Sequence, residues 1–238
     1  MGSDPPALVP GGLLAYYYSL MLSAFVPIFF TIFIVLDPLG LVPMFIGLSS
    51  GMDRAEKDRT IRKAVFTAFF VLTLFIVAGK FILGLLGISP GSFFIAGGIM
   101  LFLVSLDMLF GKAKRSKTSD QEKSDGTDAS AGDEPSSIAV FPLAIPILAG
   151  PGTITTILLF TSSDADPVST MLMLGLAVVI TLGVATATMK ASDLVLRVLG
   201  RTGVSVVERI MGLLLSGLSV QFVYDGIVKL GLIPGGIS

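Results

Sequence analysis

Long uncharged runs constrain this chain more than any other feature. No charge occurs from Phe81 to Leu106, from Pro135 to Phe160 or from Pro167 to Met189. Each run exceeds the roughly 20 apolar residues that cross a bilayer core. Only 14% of the residues are charged and 53% are hydrophobic, with a mean hydropathy of +0.90. Soluble domains carry about 25% charged residues. The chain is read as a multi-span integral membrane protein.

Apolar runs set against charge breaks predict six spans, at about 22–49, 64–86, 92–111, 138–162, 168–190 and 207–228. This gives an N-terminal outer segment (1–21), a first three-helix unit (22–111), a linker (112–137), a second three-helix unit (138–230) and a C-terminal tail (231–238). The linker is rich in Lys, Asp, Ser, Gly and Thr. It has too little apolar surface to offset its ordering entropy and is expected to be flexible. Basic residues fall on alternate connections. Arg54, Lys57, Arg59, Arg62 and Lys63 form one group, Lys112, Lys114, Arg115, Lys117 and Lys123 the next, and Lys190, Arg197, Arg201 and Arg209 the last. Residues 87–91 and 163–167 contain no Lys or Arg. Cytoplasmic loops collect basic residues, so the pattern predicts a plasma-membrane protein with both termini outside and three basic loops in the cytoplasm. Lys80 and Lys229 sit near the outer ends of their spans, where long side chains snorkel to the interface.

The chain has no Cys and no His. This excludes thiol catalysis, disulfides, His triads, and zinc or haem sites built on those residues. A net charge of −1 gives no sign of a nucleic-acid partner. No metal site, resident cofactor or catalytic residue is expected. Asp37, Asp107 and Asp225 are the only plausible acids for an intramembrane enzyme, and no second group at legible spacing supports one.

The two halves share a plan. A shift of 113 places Leu36-Asp37-Pro38 on Ala149-Gly150-Pro151, and a shift of 111 places Ile99-Met100 on Ile210-Met211. Each half has a broken first helix, an apolar second and a third with small residues and a late Asp (Asp107, Asp225). Two three-span units in tandem must insert with opposite orientation. The expected fold is therefore an all-α membrane protein of six helices in two inverted repeats, the plan of many secondary transporters. Gly97, Gly98, Gly175, Gly183, Gly212, Ser216 and Gly217 are expected to allow close helix contacts.

The first break is Asp37-Pro38-Leu39-Gly40, and the second is Gly150-Pro151-Gly152-Thr153. Proline interrupts the hydrogen-bond ladder of a helix, and glycine loosens it further. A half-helix that starts within the bilayer presents unpaired N–H groups and a positive dipole end, which suit a small anionic group such as a carboxylate. These eight residues are the candidate substrate-binding set. Asp37 is placed inside the hydrocarbon, where a carboxylate needs a reason. It is read as a helix cap, a carrier of a coupling proton, or a partner for a substrate ammonium. An ordinary capped, Pro-started helix remains the plain alternative for each break. The hydroxyls of Thr153, Thr155 and Thr156 are read as bonding either substrate or nearby carbonyls. Glu208-Arg209 stands at the start of the last span. Gln221 and Tyr224 either line a cavity or join helices.

Several of these stretches carry a family likeness. Leu36-Asp37-Pro38-Leu39-Gly40 with Pro43 and Phe45 resembles the first-span motif of the MarC family (UPF0056-like proteins), in which Asn or Asp precedes Pro-x-Gly. Ala96-Gly97-Gly98-Ile99-Met100-Leu101-Phe102 resembles its third-span motif. Pro142-Leu143-Ala144-Ile145-Pro146 with Ala149-Gly150-Pro151-Gly152-Thr153 is similar to its fourth-span signature. Glu208-Arg209-Ile210-Met211-Gly212-Leu213 and Gln221-Phe222 are similar to its last span. Leu41 stands where many relatives carry Asn. The resemblance implies transport of small neutral amino acids such as glycine and alanine, the activity of SnatA-type members, with coupling to H⁺ or Na⁺ left open.

The expectation is a secondary transporter that holds a small neutral amino acid, or a similar small solute, between two broken helices in the lipid bilayer. Oligomerisation is left open. The rivals are an exporter or channel for another small solute, and a non-transporting membrane protein that uses its linker for docking.

Overall fold

In a computed structural model the chain is described over residues 10–49, 51–110, 148–162 and 166–233. The linker and the first half of the fourth expected span, residues 138–147, lie outside these residues. The described chain is helical: α1 (Pro10–Leu36), α2 (Leu41–Leu48), α3 (Arg54–Leu85), α4 (Pro90–Phe110), α5 (Pro151–Thr161), α6 (Pro167–Lys190) and α7 (Ser192–Lys229). Among the described residues five segments are long and apolar enough to cross a bilayer: Met21–Leu48, Arg54–Leu85, Pro90–Phe110, Pro167–Lys190 and Thr202–Lys229. The shorter α5 is the second half of the fourth expected span.

Three helices begin well before the hydrophobic runs suggest. α1 starts at Pro10, inside the expected outer segment. α3 starts at Arg54, ten residues before the expected position, because Asp53 and Glu56 form a capping box. The Asp53 carboxylate accepts from the Glu56 N–H at 2.8 Å, and the Glu56 carboxylate accepts from the Asp53 N–H at 3.0 Å. Two of the orphan N–H groups of the first turn are thereby satisfied. α7 starts at Ser192 in a stretch expected to be a loop. It breaks at Gly200, whose φ of +66° suits glycine alone. At the opposite end Asp166 caps α6. Hydrogen bonds from the Ser169 hydroxyl and N–H hold its carboxyl below the usual range.

α3, α6 and the inner face of α1 form one apolar core. Ala64, Ala68, Leu72 and Ile76 of α3 meet Leu174, Ala177, Val178, Leu182 and Ala185 of α6, with Ile28 and Ile32 of α1. The spacing of four on α3 makes a single buried stripe. Phe66, Phe70, Val77 and Phe81 point outward from the same helix. Such an apolar exterior suits a lipid environment rather than water.

The most extensive helix contact is α4 with α7. Gly91, Gly98 and Ser105 recur every seven residues on α4, as do Gly212, Ser219 and Gly226 on α7. They face each other in antiparallel register. A Cβ on Gly91 would lie 2.8 Å from the Gly226 carbonyl oxygen, one on Gly98 2.7 Å from that of Ser219, and one on Gly212 3.1 Å from that of Ser105. Repeats of seven keep a seam on one face, and small residues there let the backbones touch. Both serines behave as small residues, their hydroxyls donating to carbonyls of their own helices, Phe102 and Ser216. Gly97 serves a different neighbour: its missing Cβ leaves room for the Thr155 side chain of α5. Gly175, Gly183 and Gly217 break the expectation. A Cβ on any of them would meet nothing within 4 Å.

The ends of the bundle differ in charge. Lys190, at the end of α6, pairs with Asp58 in the first turns of α3 at 3.3 Å. The first and last basic groups of the sequence thus lie at one end. At the other end Lys229 sits 5.4 Å from the centre of the Phe94 ring.

The α4–α7 seam predicts unequal effects of the same substitution. Gly98→Leu should destabilise the detergent-purified protein by about 1–3 kcal/mol through overpacking. Gly217→Leu should stay within about 0.5 kcal/mol. Unfolding followed by circular dichroism checks this, and equal losses at both positions would contradict the seam.

Candidate functional site

α1 stops at Leu36 and α2 restarts at Leu41, so the first expected break is present. Asp37 takes φ of +47°, in the left-handed region. Asp and Asn are the non-glycine residues that enter this region most readily. Its carboxylate folds back and accepts from the Gly40 N–H at 3.1 Å. A Cβ on Gly40 would collide with that carboxylate, which accounts for the glycine of the Pro-x-Gly motif. Asp37 is 8% exposed, and Pro38 is buried beside it. The Asp37 side chain thus occupies the positive end of α2, where an incoming carboxylate was expected to bind.

Pro38 closes the turn through a partner far away in sequence. The Thr188 hydroxyl of α6 donates to the Pro38 carbonyl oxygen at 2.9 Å. Thr188 stands two residues before Lys190, so the first break lies toward the charged end of the bundle rather than at its middle. Glu208 of α7 is near enough for its charge to act on Asp37. The structure therefore brings Thr188 and Glu208 to this break. Nothing in the sequence marks Thr188, one of four threonines in α6. Glu208 is visible there as a charge at the start of the last span and as part of the last-span motif.

The second break is also present. Gly150 is extended (φ −78°, ψ 168°) and caps α5 without a side-chain hydrogen bond, with Pro151 at the first helical position. Pro151 has no N–H. The N–H groups of Gly152 and Thr153 precede the first helical bond, from the Ile154 N–H to the Gly150 carbonyl oxygen at 3.1 Å. Both residues are buried. This half-helix thus presents its amides to the bundle with no carboxylate of its own at the end. The threonines that follow bond to the backbone. Thr153 donates to Leu148 at 3.5 Å, Thr155 to Pro151 at 2.7 Å and Thr156 to Gly152 at 3.0 Å.

The two breaks are neighbours. Gly152 packs against Leu101, midway along α4, and its Cβ position lies 3.2 Å from the Val35 side chain, two residues before Asp37. The chain just before the first break, at Val35, thereby touches the second break at Gly152. In this conformation protein side chains fill the contact. Asp107 and Asp225 do not join it. Asp225 accepts from Gln221 on its own helix at 2.8 Å.

The MarC family integral membrane protein profile matches residues 22–230. This chain belongs to the MarC family. Its relatives include a UPF0056 membrane protein of Methanocaldococcus jannaschii, 36% identical over 206 residues, which are 87% of this chain and 97% of the relative. Another, from Archaeoglobus fulgidus, is 35% identical over 209 residues, 87% of this chain and 94% of the relative. A third, from Aquifex aeolicus, is 34% identical over 206 residues, 87% of this chain and 93% of the relative. No solved structure is a significant match. The MarC chain is thus an integral membrane protein with several apolar helices, and both breaks fall inside the matched region.

The geometry at Asp37 separates charge from fold. Asp37→Asn keeps an acceptor for the Gly40 N–H and a residue that tolerates φ of +47°, so it should leave stability within about 1 kcal/mol. Asp37→Ala loses both and should cost about 1–3 kcal/mol. Thr188→Val, which leaves the Pro38 carbonyl without its donor, should cost about 1–2 kcal/mol. Denaturation of the three variants in one detergent orders them. An Asn variant as weak as the Ala variant would overturn the capping account.

Proposed function

We propose that this MarC protein is a secondary transporter of small neutral amino acids, of the glycine and alanine type, across the cytoplasmic membrane. The observation that carries the reading is the juxtaposition of two interrupted helices inside an apolar bundle. One break carries a buried carboxylate, Asp37, and the other a helix N-terminus at Gly152 and Thr153 whose cap residue, Gly150, offers no side chain. A zwitterion with a minimal side chain matches that pair of charges. Its carboxylate goes to the α5 amides. Its ammonium goes to Asp37, which instead carries a proton if coupling is to H⁺. Backbone broken at depth is tolerated where it lines a cavity, so separation of the breaks is the opening step.

The reading includes an inverted repeat, which the α4–α7 packing supports. α4 and α7, the third helices of the two proposed units, run antiparallel along a seam of seven-residue spacing. The first helix of each unit would be interrupted, α1–α2 at Asp37 and the 138–162 segment at Gly150. Alternating access then follows from one unit rocking against the other. With the basic end in the cytoplasm, both termini face outside.

The test is uptake of labelled alanine and glycine into proteoliposomes under an imposed H⁺ or Na⁺ gradient, with Asp37→Asn in parallel. The parent should show saturable uptake driven by one gradient. Asp37→Asn, folded by the argument above, should lose at least about tenfold of that driven uptake, equivalent to removal of one charged contact. Folded parent protein that takes up neither amino acid under either gradient would favour the rival, export or channelling of another small solute.

A further inference from the structure

A groove of about 660 Å³ runs between α3 and α6, outside the breaks. Asp58, Arg62, Val65, Phe66 and Phe69 line one wall at helical spacing, and Val179, Gly183, Thr186 and Lys190 line the other. Ile61 and Leu182 form a buried floor. The walls run antiparallel from the Lys190–Asp58 pair to the Phe69–Val179 level. The eleven steps from Asp58 to Phe69 on α3 span about 16 Å at 1.5 Å each. The groove is therefore polarised along its length. Its mouth holds two cations and one carboxylate, and the remainder is apolar. Among the described residues Arg62 has no ion-pair partner. Gly183 opens the space, since a Cβ there would meet nothing within 4 Å. Phe66 (71% exposed) and Val179 (51% exposed) widen it toward the bilayer.

We propose that this groove is a binding site for one anionic phospholipid, with the phosphate at Arg62 and Lys190 and an acyl chain along Val65, Phe66, Phe69, Val179 and Gly183. The charge complementarity selects the occupant. The mouth has a net positive charge and lies at the basic end of the bundle, where anionic headgroups reside, and the apolar length leads inward to the acyl region. A neutral lipid would satisfy the walls but not the mouth. Free phosphate would satisfy the mouth but leave the apolar walls bare. Thr186 contributes little to the headgroup, because its hydroxyl donates to the Leu182 carbonyl oxygen at 2.8 Å.

The experiment is native mass spectrometry of the full chain released from nanodiscs of equal phosphatidylglycerol and phosphatidylcholine. The parent should retain phosphatidylglycerol in preference to phosphatidylcholine. Arg62→Gln should reduce that retention about fivefold, the effect of one basic residue near an anionic surface. Gly183→Leu should reduce it although every charge remains. Val179→Phe serves as a second groove-filling variant, with circular dichroism to show that each is folded. Arg59→Gln removes a charge that does not line the groove and should retain the lipid as the parent does. Equal retention of both lipids would overturn the proposal, and so would Arg59→Gln matching Arg62→Gln. A change of oligomeric mass in Gly183→Leu with lipid retention intact would assign the groove to a second copy of the chain instead.

Discussion

A backbone that leaves the helix inside a bilayer must find hydrogen-bond partners within the protein, and the rest of this structure depends on how that is done. At the first break the Asp37 carboxylate takes the Gly40 N–H, and the Thr188 hydroxyl supplies a donor to the Pro38 carbonyl. At the second, the Thr153 hydroxyl donates back across the break to the Leu148 carbonyl at 3.5 Å. The interruptions persist because donors and acceptors have been moved next to them. The proposed reading assigns the α5 amides at Gly152 and Thr153 to the substrate.

Close backbone packing makes the two breaks neighbours. α4 lies between α5 and α7 and presents adjacent glycines to different partners, Gly97 to Thr155 and Gly98 to Ser219. Without side chains at these positions α5 can descend along α4 until Gly152 rests on Leu101 and Val35. The contact that defines the candidate site is thus a consequence of small residues about one turn away from it. A packing of this kind has discrete arrangements rather than a continuum, as the proposed opening of the breaks requires.

The spans and both breaks are legible in the sequence because they rest on strong local signals, apolar runs and Pro-Gly clusters. Helix starts are less so. Arg54 to Lys63 reads as a charged loop, and only the Asp53–Glu56 capping box reveals the helix. Long-range choices are hidden. Thr188 lies 150 residues from Pro38 in the chain, and one Thr in an apolar span carries no periodic mark. The spacing of Gly91, Gly98 and Ser105 is visible, as is that of Gly212, Ser219 and Gly226, but their pairing requires knowing that α4 meets α7. Glycine content alone misleads at Gly175, Gly183 and Gly217, which face open space instead of a helix. Asp37 is legible as an unusual acid. Its position toward the charged end follows from the Thr188 contact.

The central claim is that the packed contact between the breaks opens to water and to an amino acid. The chain has no cysteine, so a single introduced thiol reports its own position. Thr153→Cys places one at the second break, where Thr153 is 2% exposed, and Leu158→Cys places one in equally buried packing farther along α5. In native membranes, a water-soluble thiol reagent should label Thr153→Cys but not Leu158→Cys, and alanine should slow the labelling. A Thr153→Cys thiol as inert as that of Leu158→Cys, or labelling that alanine leaves unchanged, would contradict the account.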